Sequence, residues 1–239
     1  MTGTQTYLVG TDRVAVVDPG PPLEDHVEEL VRALASARHV TLLPTHGHPD
    51  HAGAVESLLA ALVRARGGRT GVEARGWGTP TAGPLREGDV IHTDAGDLVA
   101  FVTPGHTRDH TVFHWPGRNA LFAGDVLLGE GDTTWVAEYP GCVADYLASL
   151  ERLRGVPLSV IYPAHGPPID DPAGALNRYE SHRRTRIARV REALERRPGA
   201  AAGELMDLVY GDTVPPGMEG AALESLRAVL EYVEAHPGG

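Results

Sequence analysis

Apolar and polar positions alternate in short blocks along the first two thirds of the chain. Residues 6–9 and 14–17 read as two strands, and Gly10, Thr11 and Asp12 between them predict a hairpin turn. Asp18, Pro19 and Gly20 end the second run. Over 23–37 the apolar residues Val27, Leu30, Val31 and Leu34 recur at the spacing of one helix face. Residues 39–43 form an apolar run that reads as a buried strand, and 52–66 reads as a helix closed by Gly67 and Gly68. From 70 to 102 the pattern is strand-rich, with turns at Gly76, Gly78, Gly83, Gly88 and Gly96. Residues 111–114 and 120–123 predict a second hairpin, 143–153 a helix and 158–162 a strand.

After Pro167, Pro168 and Pro172 the pattern changes. Residues 173–197 read as one helix stopped by Pro198 and Gly199, and shorter helices are expected at 202–209 and 221–235. The division predicted is a domain over 1–170 and a helical part over 171–239.

Composition narrows this picture. At 239 residues, with 42% hydrophobic and 22% charged, the chain is an ordinary globular protein with one large domain and a small appendage. No run reaches the ~18 apolar residues that span a bilayer. The start, MTGTQTYLVG, lacks a basic stretch followed by an apolar one, so a cytoplasmic protein without a secretory signal is expected. The single cysteine, Cys142, excludes an internal disulfide and fits a reducing compartment. The net charge of −11 argues against global attraction to phosphate backbones, and every cation is arginine.

The unusual count is 12 histidines, and their positions matter more than their number. Four times an apolar strand runs into a polar loop bearing histidine or aspartate. The first such loop carries His46, His48, Asp50 and His51 as H-x-H-x-D-H. These four cannot share one helix or strand face, whereas in a loop they splay toward two neighbouring points. Neutral imidazole and carboxylate suit Zn²⁺, and the absence of cysteine argues against Fe–S or zinc-finger chemistry. His106, Asp125 and His165 on the three later loops supply what a two-metal site needs. His110 reads as a packing residue rather than a ligand. Trp77 and Trp115 read as core or rim, while Trp135, ten residues after Asp125, is a candidate to line the site.

H-x-H-x-D-H followed by His, Asp and His on strand-end loops resembles the metallo-β-lactamase superfamily over roughly residues 4–170. The resemblance implies an α/β (α+β) protein, a four-layer αβ/βα sandwich, with two zinc ions and another divalent metal as the alternative. It assigns His46, His48 and His106 to one ion, Asp50, His51 and His165 to the other, and Asp125 to both. It also implies a metal-bridging hydroxide as nucleophile, with Asp50 as the catalytic residue that orients it and moves its proton. Asp18 and Thr107, with Thr45, are expected to orient ligands. The stretches 3–10, 103–107, 124–125, 162–167 and 179–183 resemble lactamase-like proteins with a C-terminal winged-helix-type part, among them an endoribonuclease and polyketide thioesterases. Members of that group usually carry one more strand segment before the Gly-Thr-x-Thr-Tyr stretch, so a trimmed first sheet or a misassigned start is expected here.

The predicted helix 173–197 holds eight arginines against three glutamates. It reads as a solvated face with Ile187, Val190 and Leu194 turned inward, or as a phosphate-tracking stripe in which Arg183 and Arg186 contact substrate. The substrate expected first is single-stranded RNA, cleaved by a phosphodiesterase, with a thioester or ester of the glyoxalase II or polyketide-release type as the alternative. A non-catalytic nucleic-acid-binding module fits the seven ligands poorly. No membrane partner is expected, and the oligomeric state stays open, a homodimer included.

Overall fold

The computed structural model describes residues 3–68, 70–76 and 83–237. The expected turn at Gly78 and the placement of Trp77 lie outside the described residues. Two compact units form, and they do not follow chain order. Met1–Thr103, Asp109–Gly131 and Pro157–Pro172 make the first; Pro104–Arg108, Asp132–Val156 and Ala173–Gly239 make the second.

The first unit holds two sheets. One is ordered β1-β2-β3-β4, from Tyr7–Val9, Arg13–Val17, His39–Leu43 and Val72–Ala74. The other is ordered β5-β6-β7-β8-β9, from Val90–Ile91, Leu98–Val102, Thr111–Trp115, Ala120–Gly124 and Val160–Pro163. Both predicted hairpins form as antiparallel pairs, β1 with β2 and β7 with β8. The crossovers β2–β3 and β8–β9 are parallel.

Side-chain alternation explains the layering. On β2 and β3, Val14, Val16, Val40 and Leu42 pack with Leu30, Leu34, Leu58 and Leu62 of the helical layer. The intervening Ala15, Val17 and Leu43 pack with Leu98, Ala100, Phe113 and Phe122 of the second sheet. Both faces are buried, which is why these strands read as continuous apolar runs rather than as alternating ones.

The helical layer departs from expectation at its start. Helices α1 (Glu24–Ala33), α2 (Pro49–Ala52) and α3 (Val55–Ala65) replace the two predicted helices. Pro49 opens α2 because its fixed φ suits a first helical position. Asp50 and His51 therefore stand on a helical turn, not in an open loop as the motif suggested.

The second unit carries α4 (Cys142–Arg154), α5 (Pro172–Arg196), α6 (Ala202–Tyr210) and α7 (Glu219–Ala235). A helical C-terminal part is thus present. Among the described residues after 172 no strand accompanies these helices, so they include no wing. No helix among the described residues is long and apolar enough to cross a membrane.

Candidate metal centre

In the first unit the ends of β2, β3, β8 and β9 deliver Asp18, the 45–51 segment, Asp125 and His165. In open α/β sheets, ligands gather at the carboxyl ends of parallel strands, and these four follow that rule. One ligand atom each from His46, His51 and Asp125 lies within 4.8 Å of the others, and so do those of Asp50, His51 and His165. His46 Nε2 is 2.9 Å from His48 Nδ1. His51 Nε2 lies 3.6 Å from Asp125 Oδ1 and 3.5 Å from Asp50 Oδ2. His165 Nε2 lies 3.3 Å from Asp50 and 3.5 Å from Asp125.

Behind these atoms runs a buried frame. Asp18 accepts the Thr45 backbone N–H at 2.7 Å and the Thr45 hydroxyl at 2.9 Å, and its other oxygen is 3.1 Å from His51 Nδ1. It holds φ at +49°, a left-handed conformation that Asp tolerates better than most residues. Thr45 Oγ1 also lies 3.1 Å from His46 Nδ1.

His110 has a larger part than the packing role read from the sequence. Its Nε2 accepts the Asp125 backbone N–H at 3.2 Å, so the ring proton sits on Nδ1 and is donated to Thr103 Oγ1 at 3.0 Å. The ring stacks on His46 with centroids 5.1 Å apart. A Cβ on Gly124 would stand 2.6 Å from Thr45 Oγ1 and 2.8 Å from His110 Nε2, so only glycine lets Asp125 approach this frame.

Gln5 and the first residue of β1 fasten the His165 loop. Gln5 donates to the Gly166 carbonyl, and Tyr7 donates to the Pro163 carbonyl at 2.7 Å. Thr4 donates to Asp50 Oδ2 at 3.3 Å.

These residues fit a divalent cation of the zinc class. The donors are imidazole and carboxylate. His51 Nε2 and both ring nitrogens of His165 are buried without a hydrogen-bond partner, a costly arrangement unless something is bound there. Burial lowers the pKa of His51, but Asp125 and Asp18 outweigh it and raise the value from the usual 6.5 to about 10. In the metal-free protein this charged ring stabilises the fold fully below 6.5, and that contribution fades as pH rises through about 10. A metal must displace its proton. Zinc titrated into metal-free protein at pH 7 is expected to release on the order of one proton per chain. Calorimetry in buffers of different ionisation enthalpy measures this, and a heat independent of buffer would contradict it.

The second unit holds the remaining candidates. His106 Nδ1 donates to the Trp135 carbonyl at 2.8 Å, and Trp135 itself is half-buried. Thr107 Oγ1 is buried without a hydrogen-bond partner among the described residues, and a backbone carbonyl, that of Trp135, takes the His106 Nδ1 proton. Arg183 is 3% exposed and donates to the Thr134 carbonyl at 3.1 Å. Arg186 lies over the Tyr210 ring at 4.0 Å. The two arginines offered as substrate contacts are therefore turned into their own unit, while Ile187 and Val190 are buried and Leu194 is half-buried.

The sequence and fold also match known proteins. The family model of the metallo-beta-lactamase superfamily matches residues 2–165. A beta-lactamase-like protein 2 homolog of Caenorhabditis elegans is 30% identical over 244 residues, 97% of this chain and 78% of that protein. The lactamase-like protein aptB of Emericella nidulans is 34% identical over 246 residues, 96% of this chain and 75% of that protein. Among solved structures, a beta-lactamase domain protein from Burkholderia ambifaria shares the fold at TM-score 0.77 and 23% identity, covering 96% of this chain and 81% of its own. A metallo-beta-lactamase family protein from Thermus thermophilus does so at TM-score 0.70 and 22% identity, covering 98% and 89%. A match across most of the chain, on the residues that converge at the strand ends, makes this chain a member of the metallo-β-lactamase superfamily.

Proposed function

We propose that the protein is a hydrolase working with two divalent metal ions, zinc the first choice, and that it cleaves a thioester or ester. The convergence of Asp50, His51, His165, His46 and Asp125 within a few ångströms supports metal-dependent hydrolysis. Following the superfamily pattern, His46, His48 and His106 would hold one ion, Asp50, His51 and His165 the other, and Asp125 both. When bound, such a pair lowers the pKa of water and polarises a carbonyl or phosphoryl oxygen.

The protein's own groups do the rest. Asp18 and Thr45 hold His51 and His46 in orientation, and His110 holds the Asp125 backbone. Asp50, whose side chain is 47% exposed against 10% for Asp125, is the carboxylate through which a proton can pass between the site and bulk water.

One observation carries the substrate class: the arginines singled out for phosphate contact are engaged inside their own unit. Arg183 and Arg186 are turned inward. Arg184 pairs with Glu180 at 2.6 Å, and Arg191 and Arg197 donate to backbone carbonyls. The two arginines offered for phosphate contact are thus held away from a phosphate backbone, and the net charge of −11 opposes such a substrate.

Zinc-loaded protein given an aryl thioester and an end-labelled single-stranded RNA in parallel tests this. Turnover of the thioester is expected, abolished by a chelator and restored by zinc, with the RNA left intact. RNA cleavage that Asp50→Ala abolishes, with the thioester untouched, would transfer the assignment to phosphodiester hydrolysis.

A further inference from the structure

Arg183 is a buried cation. It is 3% exposed, and among the described residues it makes no salt bridge. Its Nε is buried with no hydrogen-bond partner. Burying a guanidinium this way is costly, and two contacts among the described residues compensate for it. It donates to the Thr134 carbonyl at 3.1 Å, and its guanidinium carbon lies 5.5 Å from the centre of the Tyr146 ring.

Both contacts belong to the surroundings of His106. The carbonyl next to that of Thr134, on Trp135, takes the His106 Nδ1 proton at 2.8 Å. That bond fixes the ring tautomer, with Nε2 as the unprotonated nitrogen that a metal requires. Tyr146 supports the same loop from α4. A Cβ on Gly105 would stand 2.6 Å from Tyr146 Cα and Cβ, and Gly105 holds φ at +141°, so the loop lies directly against this residue. One turn further along α4, Ser149 donates to the Pro104 carbonyl at 2.8 Å.

We infer that Arg183 is a positioning residue for His106: it pins the Thr134–Trp135 peptides from one side and Tyr146 from the other, and so sets the orientation and tautomer of that imidazole. The inference rests on the reading of His106 as a metal ligand.

Arg183→Met keeps the bulk and removes the donor, so it is expected to fold. Replacing a buried charge by an apolar side chain of similar size is often neutral for stability. Arg183→Lys restores a donor and a cation. In the metal-free protein, ¹⁵N NMR of the imidazoles is expected to show the slowly exchanging His106 Nδ1 proton in wild type and Lys variant, and its loss in the Met variant. In chelator competition with zinc alone, one of two sites is expected to weaken about 10–100-fold in Arg183→Met, with recovery in Arg183→Lys and little change in Tm. A retained His106 signal with unchanged zinc affinities overturns the proposal. So does an affinity loss that merely follows a loss of Tm. If wild-type protein takes up no zinc, the metal reading fails, and the metal-free NMR comparison still decides the positioning role.

Discussion

Replacing Asp50 by asparagine is expected to lower kcat by about 10²–10⁴-fold while KM for the thioester changes little. Asp50 occupies the first turn of α2, with Oδ2 3.3 Å from His165 Nε2 and 3.5 Å from His51 Nε2. Of the three carboxylates around His51, it alone is open to water. Its side chain is 47% exposed, against 10% for Asp125 and 2% for Asp18. A group that takes a proton at the site and passes it to solvent must face both, and only Asp50 does. An amide keeps the size and one acceptor oxygen but cannot carry that proton. Substrate binding makes no demand on the proton, so KM is expected to hold. Steady-state kinetics alongside metal analysis decides the matter. Equal losses in kcat and in substrate affinity, with both ions retained, would remove Asp50 from the proton path.

How far the chain could be read without its structure depended on the range of the interaction. β3 matches the predicted run 39–43 residue for residue, because Val40, Leu42 and Leu43 are buried on opposite faces and leave a nearly continuous apolar signature. The histidine and aspartate loops were legible because ligand spacing is local and the superfamily pattern supplied their partners. His110 was not legible. Its role is set by the backbone N–H of Asp125, 15 residues away, and no side-chain pattern records a bond to a main-chain atom. The inward position of Arg183 is hidden for a different reason. Charge composition drew attention to the arginines as a group and hid their positions. Leu176, Tyr179, Arg183, Ile187 and Val190 recur at helical spacing, and all five are buried. The periodicity that marked Ile187 and Val190 as inward marks Arg183 as well, and that signal was available in the sequence.

Asp18 is where the fold and the metal centre depend on the same side chain, and two substitutions there are expected to separate the two roles. Asp18→Ala removes the acceptor for the Thr45 N–H and hydroxyl and leaves His51 Nδ1 without its carboxylate, all in a buried setting. It also places a residue without a local hydrogen bond at φ +49°. Breaking a buried charged network of this kind costs about 3–5 kcal/mol, which corresponds to a Tm lower by roughly 6–20 °C for a chain of this size. Asp18→Asn acts differently. Asparagine tolerates the left-handed conformation, and its carbonyl oxygen can still accept the Thr45 N–H. The amide nitrogen then takes the place of Oδ2, facing His51 Nδ1 at the 3.1 Å position. Two donors cannot meet there, so Nδ1 loses its proton and the ring keeps its one proton on Nε2, the nitrogen that faces Asp50 and Asp125, with no acceptor at Nδ1 to hold a proton when a cation displaces it. A ring protonated on that side cannot donate its lone pair to a cation. Asp18→Asn is therefore expected to retain most of its thermal stability and to bind zinc about 10–100-fold more weakly. Thermal melts of the metal-free proteins and chelator competition read the two effects independently. If Asp18→Asn binds zinc as wild type does, the carboxylate serves the Thr45 turn alone, and the orientation of His51 has another source.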